Sequence, residues 1–133
     1  MLDRLFCYGT LEFPVLMHAV SGRHYPAVSA ELPGYGRYRV RGEVFPGVLR
    51  EPGSSTSGTL YGGLGPAQLR MLDRYEGSLY RRRRLRVYDC SGRDYVAWVY
   101  VIAARESRRL SAEPWDREAF AAHHLTDYLR ALR

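Results

Sequence analysis

The chain has 133 residues, near the usual size of one domain, with 46% hydrophobic and 26% charged residues. Its 20 basic residues against 14 acidic ones leave a net charge of +6, and every basic residue is arginine. The absence of lysine excludes a lysine Schiff base and a Walker-type phosphate loop, both of which need an ammonium at a fixed place. The longest apolar run, Tyr95 to Ala104, covers about half a membrane span. Asp3 and Arg4 interrupt any apolar leader core. A soluble cytoplasmic protein with no membrane partner is therefore expected. Cys7 and Cys90 make neither a zinc spacing nor a disulfide framework, and a chain of this length buries enough surface to need neither staple.

In chain order, Arg4 to Tyr8 reads as a first strand stopped at Gly9-Thr10, and Pro14 to Val20 as two helical turns. Short strands follow over Ala27–Leu32, Gly36–Val40, Val48–Arg50 and Gly58–Leu64, separated by Pro33-Gly34, Pro46-Gly47 and a Pro52 to Ser57 loop. Pro66 to Tyr75 predicts an amphipathic helix, with Pro66 near its first position, Leu69, Leu72 and Tyr75 on one side, and Gly77 closing it. Tyr80–Cys90 and Tyr95–Ala103 read as a hairpin turning at Ser91–Asp94. Pro114 to Leu132 predicts one helix with Ala122, Leu125, Leu129 and Leu132 on its apolar stripe. The order implies a single α+β domain over residues 1–133.

Several conspicuous features are expected to carry no chemistry. Side chains alternate along a strand, so the arginines from Arg81 to Arg86 cannot share one face. Leu85 and Val87 point inward and Arg84, Arg86 and Tyr88 outward, which favours a solvated strand over a nucleic-acid surface. His123 and His124 are neighbours on a helix and point about 100° apart, so no metal is expected there. The serine-rich run from Gly53 to Gly58 lacks the spacing of a hydrolase elbow. Gly62-Gly63-Leu64-Gly65 lacks that of a dinucleotide fingerprint. No cofactor is expected.

Two segments do carry chemistry. Tyr8-Gly9-Thr10-Leu11 leaves the first strand just before a short helix, where a glycine allows unusual backbone angles and successive N–H groups can converge on an anion or oxyanion. Leu72-Asp73-Arg74-Tyr75-Glu76-Gly77 ends the Pro66 helix, placing Glu76 at the negative pole of the helix dipole. That placement disfavours its charge and suits a general base, whose pKa must rise from about 4.3 toward 6–7. Leu79 and Tyr80 are the neighbours expected to desolvate it.

Together with Leu32-Pro33-Gly34-Tyr35, Tyr38, Phe45-Pro46-Gly47-Val48, Gly58-Thr59-Leu60-Tyr61, Tyr80-Arg81 and Ala97-Trp98-Val99-Tyr100-Val101, these two segments resemble the gamma-glutamylcyclotransferase-like family. The resemblance runs nearly to the final helix. It implies a mixed β-barrel with flanking helices and a pocket floored by Tyr8, Gly9, Thr10 and Leu11. It also implies a small-molecule γ-glutamyl substrate that releases 5-oxoproline, with Glu76 as the catalytic acid/base and no metal. Tyr80, or an arginine beside it, is the expected contact for the substrate's α-carboxylate. The alternative is a non-catalytic protein that binds an anionic metabolite in the same pocket. Glu12-Phe13-Pro14 follows the loop where the family often has a basic residue. Substrate and oligomeric state stay open at this stage.

Overall fold

The computed structural model describes residues 2–132. Six strands form its sheet: β1 (Asp3–Cys7), β2 (Ala27–Val40), β3 (Pro46–Leu64), β4 (Tyr80–Asp89), β5 (Asp94–Ile102) and β6 (Leu110–Pro114). The order β3-β1-β5-β4-β2 closes on itself because β2 also pairs with β3, giving a five-stranded barrel to which β6 adds along β2. The β1–β5 pair is parallel and every other pair antiparallel. Four helices flank the barrel: α1 (Pro14–Ser21), α2 (Pro66–Glu76), α3 (Arg117–His123) and α4 (Leu125–Ala131).

Strand alternation divides the core. Phe6 on β1 and Tyr8 just beyond it enter the barrel interior with Leu32, Val48 and Val99. Leu5 and Cys7 face the other way and pack under the helices with Met17, Leu69 and Leu72. Burying each such Leu or Phe contributes about 1.5–3 kcal/mol, so β1 is held from both sides. The register also gathers one end of the barrel. Tyr80 at the start of β4 lies opposite Ile102 at the end of β5, and β5 runs parallel to β1. The loop after β1 and the segment joining α2 to β4 therefore meet at the same rim.

Three expectations change. The Pro52–Ser57 loop is part of β3, and the four short strands around it are two long ones, β2 and β3. Pro33-Gly34 and Pro52-Gly53 fall at a register shift, between the pairs Pro33↔Ser55 and Tyr35↔Arg50. Gly34 (φ +81°) and Gly53 (φ +89°) take up the left-handed backbone there. Residues that would end a strand thus make a bulge instead. Pro114 closes β6, a strand the sequence did not suggest. The expected C-terminal helix is two, α3 capped by Asp116 and α4 beginning after His124, whose φ of −129° leaves the helical range. The break shifts the stripe: Ala121 packs inward where Ala122 was expected, and Leu125, Leu129 and Leu132 join it against Phe13 and Trp115. No described helix is long and apolar enough to cross a membrane.

Candidate active site

The rim holds a cavity of about 120 Å³. One wall is the loop from Tyr8 to Leu11 and a second is Phe45 and Pro46. Tyr75 and Glu76 from the end of α2, with Tyr80, Tyr100 and Tyr128, complete it. All six residues singled out from the sequence, Tyr8, Gly9, Thr10, Leu11, Glu76 and Tyr80, line this one space.

Beyond Tyr8 the chain makes a short 3₁₀ turn, Thr10–Glu12, in which the Glu12 N–H donates to the Gly9 carbonyl at 3.0 Å. The first N–H groups of such a turn have no partner inside it. Those of Gly9, Thr10 and Leu11 donate to no other group among the described residues. Gly9 itself has φ −128°, so left-handed backbone is not why glycine stands here. A Cβ at that position would lie 2.9 Å from Cγ and 3.0 Å from Cδ of Pro46. Glycine lets the loop and the Pro46 ring close on each other.

Glu76 is the last residue of α2 and, among the described residues, the only acidic or basic side chain lining the cavity. Burial pushes its carboxyl up to about 8, and the negative charge of Asp73, one helical turn back, adds to the rise. Among the described residues it has no ion-pair partner. Asp73 is itself held as an anion: Arg82 grips it through Nε at 2.8 Å and a second nitrogen at 3.1 Å, and the Tyr100 hydroxyl donates to it at 2.8 Å. These bonds lower the Asp73 pKa against its burial. Arg82 lies over the Trp98 ring at 4.3 Å with Arg84 also on that ring at 4.5 Å. One arginine of the basic strand therefore sets the charge beside Glu76, and none lines the cavity. Of the two neighbours expected to desolvate Glu76, Tyr80 lines the same cavity, while Leu79 is not among the lining residues and packs on the Val40–Ile102 cluster.

The hydroxyl groups around the cavity are differently committed. Tyr8 donates to the Tyr100 carbonyl, Tyr80 to the Pro46 carbonyl at 2.6 Å, and Tyr100 to Asp73. Thr10 and Tyr75 share a bond of 3.0 Å. The sequence pattern marks neither Tyr75, Tyr100 and Tyr128 as lining residues nor the Asp73–Arg82 pair. The spacing from Asp73 to Glu76 on one helix is a signal that was available. The other contacts join elements far apart in the chain.

A closed mixed barrel with helices outside is the architecture this chain shares with γ-glutamyl cyclotransferase-like proteins. A solved structure described as a gamma-glutamyl cyclotransferase shares this fold with a TM-score of 0.72 at 14% identity, over 99% of this chain and 86% of that one. A structure solved in solution from Arabidopsis thaliana superposes with a TM-score of 0.77 at 25% identity, over 100% and 81%. Residues 5–117 match the family described as gamma-glutamyl cyclotransferase, AIG2-like, and the chain belongs to that family. It is 31% identical to AIG2-like protein C of Arabidopsis thaliana over 97% of this chain and 75% of that protein.

Proposed function

We propose that the protein releases 5-oxoproline from a γ-glutamyl amine, amino acid or peptide. The observation that carries this reading is Glu76: a carboxyl with its pKa raised to about 8, without a cationic partner among the described residues, facing unpaired loop N–H groups. The substrate supplies its own nucleophile, so no serine, cysteine or metal is required. Its α-amine attacks its γ-carbonyl carbon and closes a five-membered ring, and the bond from that carbon to the leaving nitrogen breaks. Glu76 takes the proton lost by the α-nitrogen and returns it to the leaving nitrogen, so no water is consumed. Holding the chain in a near-attack pose contributes about 7–11 kcal/mol toward the barrier. The N–H groups of Gly9, Thr10 and Leu11 stabilise the oxyanion as it develops, each such donor typically worth about 10²–10³ in rate.

The test is 5-oxoproline release from a panel of γ-glutamyl amines, dipeptides and isopeptides, with Glu76→Gln beside the wild type. Release by the wild type alone supports both the reaction and the base. Equal turnover by Glu76→Gln would refute the mechanism. Saturable binding of a panel compound without product would favour a pocket that only binds.

A further inference from the structure

We infer that the hydroxyl of Tyr128, on α4, donates to the α-carboxylate of the substrate, which makes the C-terminal helical segment part of the substrate site. The inference rests on the cyclotransferase reading and on an inventory of protons. A substrate with its α-amine beside Glu76 carries its carboxylate one carbon away, in a cavity whose lining holds no cation among the described residues. The carboxylate must then be met by neutral donors. Of the five tyrosines at the cavity, Tyr8 and Tyr80 have given their protons to backbone carbonyls and Tyr100 has given its own to Asp73. Those three can accept a hydrogen bond but have none left to donate.

What remain are Thr10, Tyr75 and Tyr128. Thr10 and Tyr75 hydrogen-bond to each other at 3.0 Å. The Tyr128 hydroxyl lines the same cavity and makes no hydrogen bond within 3.5 Å among the described residues, so its proton is available to a ligand. Glu76 lies close enough to Tyr128 for its charge to act on that hydroxyl. The Gly9–Leu11 N–H groups serve the oxyanion, and the Tyr128 hydroxyl serves the carboxylate.

The placement of Tyr128 is built rather than incidental. Its ring meets Phe120 of α3 edge-on at 5.5 Å, and Phe120 packs on Phe13 at 5.6 Å and on Trp115 at 5.7 Å. Arg117, at the start of α3, reaches Glu12 at 3.7 Å and lies over the Phe13 ring at 4.4 Å. Both contacts seat the segment on the residues that directly follow the Tyr8–Leu11 loop. The family match ends at residue 117, so Tyr128 lies in the part of the chain that the family pattern does not cover.

The experiment is steady-state kinetics of 5-oxoproline release by wild type, Tyr128→Phe and Phe120→Leu, with melting temperatures for all three. Tyr128→Phe keeps the ring on Phe120 and removes only the hydroxyl. The expected result is a KM raised about 10–100-fold, the worth of one hydrogen bond to a charged group. The kcat should stay within about twofold, because a carboxylate contact is equally present in ground and transition states. Phe120→Leu should lower the melting temperature and raise KM by less than Tyr128→Phe does, because it loosens the seat of the ring but keeps the hydroxyl. Unchanged KM in Tyr128→Phe, or a loss carried by kcat alone, overturns the assignment while leaving the cyclotransferase reading intact. A KM that rises equally in Phe120→Leu overturns it in favour of packing. Silence of the wild type on every substrate overturns both.

Discussion

Two carboxyl groups flank the loop after β1 in sequence and contact, and both titrate far above an ordinary glutamate. Burial pushes Glu12 up to about 7 and Glu76 up to about 8. They differ in what surrounds them. Glu12 is 6% exposed and lies between Arg37 at 3.5 Å and Arg117 at 3.7 Å. Arg37 in turn donates to the Tyr8 carbonyl at 2.8 Å and the Ser57 carbonyl at 3.1 Å. That acid ties the loop after β1 to β2, β3 and α3, and its charge is met by a cation on each side. Glu76 has no such cation and opens on a cavity. A raised pKa alone therefore does not mark a catalytic group. The partners separate the two: a carboxylate held between cations is structure, whereas one without a cation among the described residues and facing a cavity suits the proton transfer proposed for Glu76.

The sharpest way to break this contrast is to neutralise each acid in turn. Glu76→Gln should lower 5-oxoproline release by about 10²–10⁴-fold, measured at saturating substrate. Glu12→Gln should lower it far less, and equal losses would erase the distinction. Stability should respond in the opposite sense. Glu12→Ala strands the Arg37 guanidinium in a largely buried place and should cost about 3 kcal/mol in urea unfolding. Gly9→Ala forces a methyl against Pro46 at 2.9 Å and should cost about 1–3 kcal/mol. Pro46→Ala in the same chain should restore part of that loss.

The pH dependence sharpens the comparison further. The folded pKa of Glu76 lies above its unfolded value, so its proton is bound more tightly in the native state. The associated stability is complete below about 4.5 and is lost as pH rises through about 8. Glu76→Gln should match wild type near pH 4 and exceed it by about 1–2 kcal/mol at pH 9, a value discounted because the side chain is only half-buried. The kcat/KM of the wild type should rise through the same region as the base loses its proton. The smallest effect belongs to the exposed pair Arg86–Asp94 on the outside of β4 and β5. There Asp94→Asn should change stability by no more than about 0.5 kcal/mol.

Much of the local order was legible in the chain. Alternation on β4 buried Val87 and left Arg84, Arg86 and Tyr88 in solvent, and Pro66 opened α2 as its position required. Turn residues misled where the barrel overrode them: Pro33-Gly34 and Pro52-Gly53 read as breaks, yet cross-strand pairing on either side carries β2 and β3 through them. The C-terminal stripe failed at His124 for a similar reason. Its residues answer to the surface formed by Phe13, Leu16 and Trp115, and covering that surface takes two helices instead of one.

The sequence by itself determined the family, the acid at the end of α2 and the loop opposite it, because those signals lie within a few residues of one another and depend on local backbone geometry. Only the tertiary structure decided which hydroxyl still has a proton to give, which arginine sets the charge next to Glu76, and why Gly9 must lack a side chain. Each of those answers depends on a contact across dozens of residues: Tyr80 with the Pro46 carbonyl, Tyr100 with Asp73, the Pro46 ring against Gly9. Hydrogen-bond donors are spent on whatever the fold brings within reach, and no local pattern records that spending.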